Sequence, residues 1–182
     1  RFRLRVEAEA WRALCEATEK LPLLSAERIR EELTKILAQD PRPSGALSLY
    51  AAAGVLNVLF PELSAIVDQD RPNRAENLWT HSILLNDLIP ATRPLLRLAA
   101  LLHCIGYPGA EDREDGLEES RARDRGAAFM IRFRFPNVQI REVTEMVGMG
   151  FDPPLALKHP KDLRRWLHRA GPDRLRSFGR IW

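Results

Sequence analysis

Residues 95–105, running Leu95, Leu96, Arg97, Leu98, Ala99, Ala100, Leu101, Leu102, His103, Cys104, Ile105, are apolar nearly all round a helix. A helix without a polar face has to be covered on every side. This segment is therefore the expected central helix of a core, and the rest of the chain must supply its cover. Helical periodicity runs through nearly every other segment, and none alternates convincingly as a strand does. Of the 182 residues 45% are hydrophobic, enough for a substantial core. The expected class is all-α, a helical array.

Punctuation divides the array. A helix is expected over 7–20, ended by Pro22. Ser25 is placed to cap the next helix, with Glu27 in its first turn facing the positive end of the dipole. Ile29, Leu33, Ile36 and Leu37 form its apolar stripe. The break Asp40-Pro41-Arg42-Pro43 follows. Ser44 is expected to cap a third helix and Gly54 to close it. Val55 to Phe60 leads into Pro61-Glu62-Leu63. The polar run 68–75 is the expected boundary between two regions, 1–70 and 71–182. A helix over 76–89 would place Leu78, His81, Leu85 and Leu88 on one face. Pro90 and Pro94 punctuate a loop, and Gly106 and Pro108 stop the central helix. The acidic segment 109–119 reads as an exposed loop. Helices are expected at 120–133, with Asn137 capping one at 137–148, and at 160–169 and 172–180.

No apolar run approaches the ~20 residues that span a bilayer, no signal peptide is visible, and no membrane partner is expected. Cys15 and Cys104 are too few for a disulfide framework, which suits a reducing, cytoplasmic compartment. The chain starts without methionine, and both ends read as internal to a longer protein. Arginine supplies 24 of the 28 basic residues. Its guanidinium binds phosphate bidentately and stacks on bases, so the bias suits an RNA partner. A GC-rich genome would give the same bias.

Two blocks carry a family resemblance. The first joins Arg1-Phe2, Leu4 and Val6 to Glu9 with Ser25-Ala26-Glu27-Arg28-Ile29-Arg30-Glu31-Glu32-Leu33-Thr34-Lys35. It continues through Gly54-Val55-Leu56 to Phe60-Pro61-Glu62-Leu63. This resembles the neck and body of the bacterial CCA-adding enzyme and poly(A) polymerase family. The second block, His81 to His103, is similar to the HD domain that follows the body in many of these proteins. The resemblance implies an RNA-binding or scaffold region that positions tRNA or another RNA for 3′-end addition by an N-terminal head. That head would hold the polymerase carboxylates and the Mg²⁺. No Gly-Gly or Gly-Ser followed by an Asp-x-Asp pair occurs here, so polymerase chemistry is not expected within these residues. The same resemblance implies that Glu27 and Arg28, with Glu32 and Lys35, brace the neck. Taken as residues alone, the four form a solvated charge pattern of small energetic weight.

An HD site needs a histidine on one helix, His-Asp on the next, and usually a further His and Asp. Here His81 and His103 are present, but Cys104 stands in the carboxylate position. The family's next histidine falls at Ala122, and a later one falls within 146–150, which holds none. A thiolate is a poor ligand for Mg²⁺ or Mn²⁺. The alternative function, an HD-type metal-dependent phosphohydrolase, is disfavoured on these losses. Zinc held by His81, His103 and Cys104 would be chemically reasonable. Against it, adjacent helical side chains point about 100° apart. We therefore expect a vestigial site, with no metal, no cofactor in this chain and buried, hydrogen-bonded histidines. His159 and His168 follow no ligand pattern and are expected on the surface. Candidate phosphate contacts are Arg121, Arg123, Arg125, Arg132, Arg134, Arg164, Arg165 and Arg169.

Overall fold

The structure, a computed structural model, describes residues 6–70, 77–107 and 117–148. Those residues form helices α1 (Ala8–Ala17), α2 (Ala26–Gln39), α3 (Ser44–Ala52), α4 (Val55–Leu59), α5 (Pro61–Ser64), α6 (Leu78–Leu88), α7 (Pro94–Leu102), α8 (Leu117–Arg132) and α9 (Asn137–Val147). Two 3-10 helices, Thr18–Leu23 and His103–Gly106, interrupt the series. Among the described residues there is no strand, and the fold is an all-α array. An isolated antiparallel bridge joins Asp70 to Asn77.

The apolar segment is the central helix. Every residue of α7 from Leu96 to Leu102 is buried. Helices α2, α6 and α9 pack on it, while α8 packs on the 3-10 turn that follows it. One continuous apolar cluster joins Ile29, Leu33 and Leu37 of α2 to Leu56, Phe60 and Leu63, then to α6, α7, α8 and α9. Burial of these side chains is the main stabilising term, on the order of 2 kcal/mol for each large aliphatic. Phe60 is central: its ring lies 5.7 Å from Phe129 and 5.3 Å from Phe133 on α8, and 6.5 Å from Tyr50 on α3.

Several local expectations need correction. The first α-helix ends at Ala17, and Pro22 sits inside a 3-10 helix instead of terminating an α-helix. Ser25 does cap α2, accepting from the Arg28 backbone N–H. Ser44, by contrast, is the first residue of α3 and does not cap it. Asp87 of α6 takes that role, accepting from the Ser44 backbone N–H at 3.0 Å and from its hydroxyl at 2.6 Å. Gly54 closes α3 in the left-handed region at φ 79°. Leu88 is 62% exposed instead of sharing the core face with Leu78 and Leu85. Pro94 opens α7 at its first turn, where the missing N–H costs nothing. Asn137 is the first helical residue of α9 and makes no side-chain cap. The expected helices at 160–169 and 172–180 lie outside the described residues.

The central helix carries one residue out of character with it. Arg97 is 1% exposed. Its Nε donates to the Ile89 carbonyl at 2.8 Å, and Nη1 donates to the carbonyls of Leu37 at 2.8 Å and Asp40 at 2.6 Å. Nη2 donates to Pro41 at 3.2 Å. These carbonyls end α2 and α6, where helix dipoles place partial negative charge. Burial pulls the Arg97 pKa below its usual value, and the nearby Asp87 and Asp40 oppose that pull. A guanidinium stays charged even so, and it ties the α2 C-terminus to the central helix.

Candidate RNA-binding region and histidine–cysteine cluster

The neck residues sit on the outward side of α2. Arg28 pairs with Glu32 at 2.9 Å, and Lys35 pairs with the same carboxylate at 3.0 Å. All three are substantially exposed. The Lys35 hydrogen bond is the main cause holding the Glu32 carboxyl below its usual pKa. Glu27 does not join this chain. It accepts from Arg134 Nη1 at 2.6 Å, in the turn after α8. Its carboxyl is also held below the usual range, first by its own backbone N–H and then by Arg134. Arg30 donates to the Arg134 carbonyl and lies over the Phe135 ring at 5.9 Å. Both faces of this turn therefore meet the first turns of α2.

Arg134 adopts φ 54°, the left-handed region that favours glycine. The turn ends α8 with paired bonds, Phe135 N–H to the Met130 carbonyl and Arg134 N–H to the Ile131 carbonyl. This is the arrangement that closes helices through a left-handed residue. An arginine there keeps a side chain that glycine would lack, and that side chain reaches Glu27.

The arginines nominated for phosphate contact divide. Arg132 donates to Glu62 at 2.8 Å and to the Leu59 carbonyl, and lies 4.8 Å from the Phe133 ring centroid. Arg125 donates to the Ile105 carbonyl at 2.7 Å. Arg121 is half-buried, and its Nη1 is buried with no hydrogen-bond partner among the described residues. Arg125, Arg132 and Arg134 are thus engaged within the molecule, where the sequence suggested outward stripes. Arg123 on α8 is exposed. Arg164, Arg165 and Arg169, with His159 and His168, lie outside the described residues.

The HD-like cluster is tighter than its spacing suggested. His81, in the first turns of α6, and His103 lie with ring centroids 5.2 Å apart at 70°. His103 Nδ1 sits 2.7 Å from the Ala100 carbonyl, and its Nε2 lies 3.1 Å from Cys104 Sγ. One donor atom from each of His81, His103 and Cys104 lies within 4.8 Å of the others. The expectation that His103 and Cys104 diverge is therefore overturned. The α-helix ends at Leu102, and the long imidazole reaches back across the angular separation to the short thiol beside it. Ala122, where the family's next histidine would stand, is fully buried on α8.

Arg97 and Asp87 were not singled out as sites in the sequence. One charge inside an apolar helix was a legible signal for Arg97. No local pattern marks Asp87, whose target lies 43 residues away.

Residues 3–67 match the family described as "Probable RNA and SrmB-binding site of polymerase A". The chain is also similar to the A-adding tRNA nucleotidyltransferase of Deinococcus radiodurans, 27% identical over 165 residues. That similarity covers 82% of this chain and 37% of the relative, so the chain spans little more than a third of the relative's length. No solved structure matches. Among the described residues no helix is long and apolar enough to cross a membrane. Residues 3–67 thus match an RNA-binding segment of polymerase A, and most of the chain is similar to a tRNA nucleotidyltransferase.

Proposed function

We propose that this chain is the region that holds RNA for 3′-end nucleotide addition by a nucleotidyltransferase head, with tRNA as the RNA. The observation that carries the reading is the match of residues 3–67 to an RNA-binding family, on a chain similar to a tRNA nucleotidyltransferase. The wiring of the neck supports a scaffold role. Glu27–Arg134, Glu62–Arg132 and Arg97 with the α2 carbonyls all join the family-matched segment to later helices. An RNA held by one part is thereby referenced to the other.

Charge indicates where RNA would lie. Residues 3–67 hold eight Lys/Arg against nine Asp/Glu, too balanced to draw phosphate alone. Residues 158–180 hold eight Lys/Arg against two Asp/Glu, and Arg123 is exposed on α8. The proposed phosphate contacts are Arg123, Arg164, Arg165 and Arg169, leaving Arg125, Arg132 and Arg134 as internal braces. Shape and backbone contacts dominate such recognition, because double-helical RNA hides its base edges in a deep groove. The head and its Mg²⁺ would supply the polymerase chemistry, and the compartment is the cytoplasm.

Titration of the chain with tRNA over a salt series tests this. Tight binding at low salt that weakens steeply with salt is expected. Each Arg→Ala change at the proposed contacts should lower the log–log salt slope by roughly one contact's worth, about 0.7 to 0.9. No binding at low salt would refute the proposal.

A further inference from the structure

The HD resemblance implies a hard divalent cation, and the residues present do not fit one. The carboxylate that would hold Mg²⁺ or Mn²⁺ is replaced by the Cys104 sulfur, and Ala122 puts a buried methyl at the next ligand position. What remains is a different donor set, two imidazoles and a thiol.

We propose that His81, His103 and Cys104 form a soft-metal site that takes Zn²⁺ as a structural ion. Zinc is bound by imidazole nitrogen and thiolate sulfur in tetrahedral sites, whereas hard cations prefer oxygen. With zinc–sulfur and zinc–nitrogen bonds near ~2.3 and ~2.0 Å, donors sharing one tetrahedral ion lie about 3.3–3.6 Å apart. Cys104 Sγ and His103 Nε2 are 3.1 Å apart, and the three donors fall within 4.8 Å of one another.

The His103 tautomer is already set for ligation. A carbonyl oxygen can only accept, so the 2.7 Å contact with Ala100 requires the proton on Nδ1. The Nε2 lone pair then faces the Cys104 sulfur. An imidazole fixed through its far nitrogen by a backbone carbonyl is the usual outer support of a metal-bound histidine. Two of the three residues are buried, His103 8% and Cys104 2% exposed, and His81 is half-buried. Burial disfavours a bare thiolate, and a bound dication compensates its charge. On binding, the thiol proton leaves to solvent and a sulfur–zinc bond forms, with no change of oxidation state. Zinc here would fasten α6 to the turn that follows α7, which gives it a part in the cohesion of the fold.

The test uses the full chain, purified without a histidine tag and dialysed against metal-free buffer. Elemental analysis should find about one zinc per chain, held by three protein donors with water in the fourth position. Titration of the stripped protein with Co²⁺ should give tetrahedral visible bands and a thiolate-to-cobalt charge-transfer band in the near ultraviolet. Cys104→Ser should abolish the charge-transfer band and weaken zinc binding by more than the tenfold or so that loss of an outer support brings. Cys104→Asp should lower the zinc-to-manganese ratio in protein loaded from an equimolar mixture. Circular dichroism shows whether Cys104→Ser stays helical. If it does not, His81→Gln at the half-buried ligand provides the same loss of zinc. Wild-type protein that retains no zinc, or a cobalt spectrum without the thiolate band, overturns the proposal.

Discussion

Arg134 Nη1 donates to Glu27 Oε1 at 2.6 Å across 107 residues of sequence, from a backbone held at φ 54°. The neck helix and the α8–α9 turn are joined by a residue whose conformation is itself unfavourable. Side-chain length is retained at a place where glycine would be relaxed.

Arg134→Gly removes the ion pair and relieves the left-handed strain, two effects of opposite sign. Its stability in urea should stay within about 1 kcal/mol of wild type. Arg134→Val loses the pair and adds a β-branched side chain to the same strained backbone, and should cost roughly 1–2 kcal/mol more than the glycine variant. Equal stability of the two variants would remove strain from the account.

The Glu27 carboxyl has a pKa below its usual value in the folded protein, through its own backbone N–H and then Arg134. A lowered folded pKa stabilises the protein above the unfolded carboxylate range, and that contribution fades as pH falls through the folded value. The melting temperature of Glu27→Gln should therefore lie below wild type at about pH 7 and converge with it towards about pH 3. Glu32 is lowered too, so some acid sensitivity should persist in the variant.

Removing Arg97 leaves the carbonyls of Leu37, Asp40, Pro41 and Ile89 without their common donor. Arg97→Met should destabilise by about 3 kcal/mol or more, read by chemical denaturation, although it is more apolar than the residue it replaces. Arg97→Lys should recover little, because an ammonium cannot spread donors over a planar fork. Full rescue by lysine would show that charge alone matters there.

Asp87 holds the start of α3 from α6. Asp87→Ala should cost about 1–2 kcal/mol, the loss of a helix cap with a partly buried donor left behind. Asp87→Asn retains an acceptor and should cost less. Hydrogen exchange of the Ser44 amide should speed up in the alanine variant ahead of global unfolding.

The helical class, the central apolar helix, the α2 stripe and the Ser25 cap are all legible in the sequence. Each is a local pattern: helical periodicity in residue type, or a hydroxyl three residues before its donor. The motif around Phe60-Pro61-Glu62-Leu63 carries the family resemblance but does not say why it is built that way. Only the fold shows Phe60 packed against Phe129 and Phe133 and Glu62 holding Arg132. The arginine series was legible as charge but not as role. Whether a guanidinium faces solvent or a carbonyl depends on which helix lies opposite.

The helical array and the segment that matches an RNA-binding family are legible along the chain, because periodicity, caps and motifs act over a few residues. That Asp87 caps α3, that Arg97 gathers the carbonyls of two helix ends, and that His103 and Cys104 converge follows from the packing of the helices. Those relationships join groups by distance and direction in space. They depend on how α6, α7 and α8 cross and on where α7 gives way to a 3-10 turn, and neither is written in the spacing of residues along the chain.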